Sequence, residues 1–284
     1  MKKIYIAGCG GMLGDAFHKQ FNDYILKCTD KNVNESWLSF LDFRDFEAYR
    51  EDVTGFNPDY LFHLGAYTDL EFCEKNIDDT YKTNVTSVEN AVYIVNKLDI
   101  PILYISSAGI FDGVKKVYDD WDQPNPLNIY GRSKYLGEKF VFENAKKFLI
   151  CRAGWMMGGG WKDKKFVRKI KDQILLGQNN LNIVNNKYGT PTYTHDFAKT
   201  VKNLIENELW GTYNCVCEGQ TNRLEIAKEI VKILGSNVDI TEIDDMEEYF
   251  AIRPESECLI NTKLHLRDIN TMRYWKDALK EYIG

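Results

Sequence analysis

The apolar run "KKIYIAG" leads straight into "GCGGMLGDAF", which sets Gly8, Gly11 and Gly14 at three-residue spacing between a strand pattern and a helix pattern. Glycines in that place allow a tight turn and let the backbone approach a pyrophosphate, which the unpaired N–H groups of the helix N-terminus attract. Glycine triplets also gather in loops for conformational reasons alone. Here the triplet joins the first strand to the first helix, and a second strand ends at Asp30. A carboxylate at that strand end accepts hydrogen bonds from an adenosine ribose and repels a 2′-phosphate, which favours NAD. Lys31 follows immediately and could neutralise such a phosphate, so NADP stays open.

The first 110 residues alternate short apolar runs, among them "DYLFHLGA" and "PILYISS", with longer helical stretches such as "VTSVENAVYIVNKL". That alternation predicts an α/β fold of Rossmann type, a doubly wound parallel sheet with helices on both faces, joined to a smaller mixed α/β substrate-binding region. Residues 1–155 are assigned to the dinucleotide-binding domain, with 182–206 returning to it. Residues 156–181 and 207–284 form the second region. Within it, "KFVRKI" predicts a helix from about Phe166 to Leu176, "LNIVNN" and "GTYNCVC" predict strands, and the tail is irregular before a last helix.

A formal charge of −6 in mixed stretches leaves no basic face of the kind nucleic acid requires. The seven cysteines lack CxxC or His-bearing metal spacing, so they read as reduced, buried thiols and no metal site is expected. Cys215 and Cys217 are placed on one apolar face of a strand. His63, inside "YLFHLGA", reads as a core side chain. No segment is apolar enough to span a bilayer, and the N-terminus enters a strand pattern without a cleavable signal, which places the protein in the cytoplasm.

In "NIYGRSKYLGE", Tyr130 and Lys134 stand four apart and share one face of a helix. A free phenol, with a pKa of roughly 10, is a poor proton donor at neutral pH, and a nearby ammonium brings it down. YxxxK by itself is common. Its weight comes from order: glycine loop, acid after the second strand, "LFHLGA", Asn84, "ISS" closing a strand, then YxxxK.

With these motifs, and with "LDFRD", "TNVTSVENA", "CRAGW", "YGTPTYTHDFA" and "RPESECLINTKL", the chain resembles the sugar-nucleotide-modifying branch of the extended short-chain dehydrogenase/reductases, most of all the dTDP-4-dehydrorhamnose reductase family. The resemblance implies that Gly8, Gly11, Met12 and Leu13 line the pyrophosphate and that Asp30 and Lys31 face the adenosine ribose. It implies that Asp42 and Phe43 contact the adenine, that Leu64, Gly65, Ala66 and Tyr67 pass beneath the cofactor, and that Ser106 and Asn84 belong to the same site, Asn84 supporting the central helix and its proton relay. Tyr130 would deliver a proton to a carbonyl oxygen as hydride arrives from NADH or NADPH. Lys134 would hold the nicotinamide ribose and acidify Tyr130, and Ser107 would hydrogen-bond the same oxygen.

Substrate contacts are expected from Ser107, Ala108, Gly109, Trp155, Lys165 and Arg253. The implied partner is a nucleotide-diphosphate sugar, in nucleotide-sugar biosynthesis for surface polysaccharide; a homodimer is left open. Two departures alter the pocket. Ala108-Gly109 stand where the reductases carry an acid and a phenol, and Glu257 stands where they carry a serine. Ser-Ser-Ala also matches the corresponding stretch of 4-epimerases, so an NAD-dependent 4-epimerase is one alternative. A catalytically silent NAD(P)-binding regulatory subunit, as in methionine adenosyltransferase, is another. Lys162, Lys164, Lys165 and Arg168 could steer a diphosphate, and a solvated loop and helix face would account for them as well.

Overall fold

A computed structural model describes residues 1–244 and 250–284. Strands Lys3–Ala7 (β1), Ile25–Asp30 (β2), Leu38–Phe40 (β3), Tyr60–His63 (β4), Ile102–Ser107 (β5) and Phe148–Ala153 (β6) join Gly211–Asn214 in one seven-stranded sheet. Its order is Gly211–Asn214, β6, β5, β4, β1, β2, β3, and every pairing is parallel. The order reverses at β1, and ligands of open α/β sheets lie in the crevice at such a switch point.

Alternation along β1 shows how the sheet is covered. Ile4 and Ile6 enter a core with Phe17, Phe62, Phe197 and Val201, beneath the helices Met12–Gln20 (α1) and Thr194–Glu206. Tyr5 and Ala7 point the other way, to Tyr49, Val92 and Val95. Both faces are dry, which is why the strands read as near-continuous apolar runs. His63 belongs to this interior: it is 1% exposed, with Tyr49 Oη 3.2 Å from Nδ1 and Ser87 Oγ 3.1 Å from Nε2. Burial lowers its pKa to about 3, so the imidazole is neutral.

The second core gathers Met157, Val167, Ile170, Leu181, Ile230 and Trp275 beside strands Asn180–Val184 and Asp239–Ile243, which pair in parallel. Gly211–Asn214, grouped with the second region from sequence, instead extends the main sheet beyond β6. That strand stops at Asn214, so Cys215 and Cys217 do not share a strand face: Cys215 packs in the main core and Cys217 in the second. All seven cysteines are free and buried. No helix among the described residues is long and apolar enough to cross a membrane.

Candidate active site

The turn after β1 is built for close approach. Gly8 has φ +75°, and a β-carbon on it would lie 2.3 Å from Gly65 Cα, so the first turn and the exit of β4 share space that only paired glycines leave open. A β-carbon on Gly14 would lie 1.9 Å from the Cys9 carbonyl oxygen, which fixes α1 against the loop. Gly11, the N-cap of α1, is different: nothing lies within 4 Å of its β-carbon position, and no side chain caps the helix. The first turn of α1 therefore presents free N–H groups to open space.

That space is one end of a cleft of about 1030 Å³. Among the described residues its wall carries ten Lys or Arg and five Asp or Glu, the reverse of the chain as a whole, with 36 basic and 42 acidic residues. The imbalance focuses positive potential on the cleft and suits anionic ligands. Ser106 Oγ and Thr83 Oγ1 border it and are buried without a partner, orphans of the sort that a bound polar group satisfies.

Met12, Leu13, Asp30, Lys31, Asp42, Phe43, Leu64, Gly65, Ala66 and Tyr67 all line the cleft. Asp30 also has a structural task. Its Oδ2 accepts from Gly10 N at 2.9 Å and its Oδ1 from Asn32 N at 2.8 Å, so the carboxylate ties the glycine loop to the end of β2. Asp42 pairs with Arg44, which holds its carboxyl below the usual range. Arg44 went unnoticed inside "LDFRD"; it lines the cleft and lies 3.3 Å from Tyr67 Oη, with Lys31 3.5 Å from the same oxygen.

Asn84 supports the helix that carries Tyr130 and Lys134 from behind the cleft wall. It is fully buried and absent from the cleft wall. Its Oδ1 accepts from Tyr67 N at 2.8 Å, and its Nδ2 donates to Tyr67 O at 3.0 Å and Ser133 Oγ at 2.9 Å. Both N–H donors and one acceptor position of its amide join the β4 exit to the helix Ile129–Asn144. It sits in a π-helical turn, Lys82–Thr86, whose extra residue re-aims it.

The helix Ile129–Asn144 starts at Asn128, whose Oδ1 accepts from Gly131 N at 2.8 Å. Tyr130 and Lys134 follow on its cleft face, beside Ser107 at the end of β5. Farther along the helix, Glu138 forms a buried ion pair with Arg152 of β6 at 2.6 Å, anchoring the helix to the sheet. Ser107 Oγ accepts from Gly109 N at 3.1 Å.

Desolvation dominates this electrostatics. It pushes the Tyr130 phenol up to about 12, partly countered by the Ser107 hydroxyl and reinforced by Glu257. Lys134 is buried with Nζ 4.2 Å from the Tyr104 ring centroid, and burial brings it down to about 7. Burial thus shifts both groups towards their neutral forms, the phenol upwards and the ammonium downwards. A stability consequence follows. Between pH 7 and 10.5 the unfolded lysine binds a proton that the folded one does not, so Lys134 adds stability as pH rises through that window and withdraws it as pH falls through 7. The thermal midpoint of Lys134→Met is expected to rise less than that of the wild type between pH 7 and 9, by roughly a few degrees; parallel curves by scanning calorimetry would contradict the burial argument.

Ala108, Trp155, Lys165 and Arg253, the expected substrate contacts, are all on the cleft wall. Gly109 is not: it packs behind the Tyr130 ring. Lys165 Nζ donates to Thr68 Oγ1 at 2.9 Å, joining the second region to the β4 exit. Arg253 lies 3.3 Å from Glu71. Lys162 and Lys164 also line the cleft, whereas Arg168 pairs with Asp172 along its own helix. Arg223 gave no sequence signal; it lies 4.7 Å from the Trp155 ring centroid and 4.9 Å from that of Phe166.

The model of the RmlD substrate binding domain family matches residues 1–284. The chain is 27% identical to the spore coat polysaccharide biosynthesis protein SpsK of Bacillus subtilis, over 100% of this chain and 97% of that one. A dTDP-4-dehydrorhamnose reductase of Bacillus anthracis, solved in complex with NADP, superposes with TM-score 0.91 at 27% identity and covers 99% of this chain and 98% of its own. The methionine adenosyltransferase 2 subunit beta of Mus musculus is 25% identical over 99% of this chain and 86% of its own. With a parallel sheet that reverses at β1, a glycine loop at the reversal and Ser107, Tyr130 and Lys134 on one cleft wall, the chain belongs to the RmlD substrate binding domain family, of the extended short-chain dehydrogenase/reductase type.

Proposed function

We propose that the protein is an NAD(P)H-dependent reductase of a 4-keto group on a nucleotide-linked deoxysugar. The observation that carries this reading is the meeting of Ser107, Tyr130 and Lys134 in the same cleft as the open N-terminus of α1. Gly11, Met12 and Leu13 would hold the dinucleotide's pyrophosphate, with Lys31 and Arg44 at its adenosine end. The reduced nicotinamide, when bound, supplies the hydride.

The chain's own residues then handle the carbonyl oxygen. Ser107, its lone pair engaged by Gly109 N, donates to that oxygen and fixes its place. Tyr130, up at about 12, keeps its proton at neutral pH and is a donor in the ground state, as reduction requires. Lys134, near 7, carries a labile proton one helical turn away. The cationic rim, Lys164 and Arg223 included, suits the diphosphate of the sugar nucleotide.

The likeness to a regulatory subunit supports a second reading, a binding protein without turnover. Purified protein is to be mixed with NADPH or NADH and a panel of 4-keto sugar nucleotides, with the nicotinamide absorbance band followed and the sugars analysed. Oxidation of the cofactor with a reduced sugar is the expected result. Isomerised sugar without net oxidation would mean an epimerase, and binding without any change would favour the regulatory subunit.

A further inference from the structure

Glu257 occupies the reactive corner without a role in the scheme above. It lies in the short strand Ser256–Glu257, which pairs with Tyr188–Gly189 and lines the cleft. Trp155 Nε1 donates to its Oε2 at 2.7 Å. The indole is itself fixed, packed so closely on Gly189 that a β-carbon there would fall 2.4 Å from the ring. One carboxylate oxygen is thus clamped, and Oε1 has no hydrogen-bond donor among the described residues.

The place to which Oε1 points is set by Gly109. The position of a β-carbon on Gly109 is 3.3 Å from Tyr130 Cε1, 3.4 Å from Ser107 Oγ and 3.5 Å from Glu257 Oε1. Proton donor, oxygen-binding hydroxyl and carboxylate therefore border one methyl-sized space. The absent side chain at 109 and the acid at 257 share one space: a β-carbon at 109 would just touch the carboxylate, and a side chain that extends beyond it towards Oε1 would crowd it. An acceptor-only group beside the carbonyl-binding pair selects a substrate with a hydrogen-bond donor on the neighbouring ring carbon.

We propose that Glu257 determines substrate specificity, its Oε1 accepting a hydrogen bond from a hydroxyl or ammonium group on ring carbon 3 of the sugar whose carbon 4 is reduced. The proposal rests on the reductase reading, and its test separates the two. Wild-type protein, Glu257→Leu and Glu257→Gln are assayed with 4-keto sugar nucleotides that carry at carbon 3 a hydroxyl, an amino group or hydrogen only. Wild-type kcat/KM favours a donor-bearing substrate over the 3-deoxy one, and Glu257→Leu reduces that ratio by about 10- to 100-fold, the worth of a hydrogen bond to a charged acceptor.

Glu257→Gln retains an acceptor but no charge. A hydroxyl-selecting site keeps most of its preference in this variant, and an ammonium-selecting site loses it. If the leucine variant slows all three substrates by one common factor, the proposal is overturned while the reductase reading stands. If the wild type reduces none of them, the reductase reading fails, and calorimetric binding of the three sugars decides: equal weakening of all three by Glu257→Leu overturns the proposal, and selective weakening of the donor-bearing ones upholds it.

Discussion

Tyr130→Phe is expected to lower turnover of a 4-keto sugar nucleotide by about 10²- to 10⁴-fold while leaving dinucleotide affinity nearly unchanged. The substitution removes one oxygen and keeps the ring that packs against Gly109, so the cleft wall survives. What is lost is the phenolic proton beside Ser107. The pH dependence carries a further sign. A phenol at about 12 stays protonated across the neutral range, so the group that titrates there is Lys134 at about 7. Reduction by the wild type is therefore expected to slow as pH rises through 7, when Lys134 loses its proton, and the residual rate of Tyr130→Phe to respond less. Stopped-flow measurement of cofactor oxidation from pH 6 to 9 checks both. Undiminished turnover by the phenylalanine variant would remove Tyr130 from the mechanism.

The sheet and the reactive helix were legible because local pattern and tertiary demand agree there. β1 alternates between two dry faces, so its residues are apolar whichever way they point, and Gly8 and Gly14 stand where backbone meets backbone. The four-residue spacing of Tyr130 and Lys134 correctly gave a shared face. It could not give their proton affinities, because those depend on burial against Tyr104 and Glu138, which spacing does not encode. Asn84 shows the same limit: its motif marks the site, but only the fold shows its amide joining Tyr67 to Ser133 behind the wall.

The end of the cleft around Trp155 was the least legible, since its contacts join distant stretches. Trp155 and Glu257 are 102 positions apart, and Arg223 meets Trp155 and Phe166 only through the fold. No local period announces such a pair. The departure at 257 was visible as an odd residue in "RPESE", yet its meaning depends on Gly109, which lies on a different element and shows nothing by itself except the absence of a side chain.

Gly131→Ala carries the second large effect, through geometry alone. Gly131 follows Tyr130 at the start of its helix, and a β-carbon there would lie 2.1 Å from the Gly109 carbonyl oxygen and 3.0 Å from Pro126 Cβ. Neither neighbour is the free end of a flexible side chain. The helix must move away from the turn that closes β5, and that turn carries Ser107 and orients it through Gly109 N. A displacement near 1 Å between Tyr130 and Ser107, the proposed proton donor and oxygen-binding hydroxyl, is expected to cost about 10²-fold in rate, and overpacking about 1–3 kcal/mol in stability. Gly55→Ala is the control: it lies in the helix Phe46–Phe56 with nothing within 4 Å of its β-carbon position. There alanine is expected to raise stability by about 0.5–1 kcal/mol, from helix propensity, with turnover unchanged. Chemical denaturation and steady-state kinetics on both variants test the contrast. If Gly131→Ala keeps wild-type turnover, the close seating of this helix on the β5 turn is not what holds Tyr130 and Ser107 together.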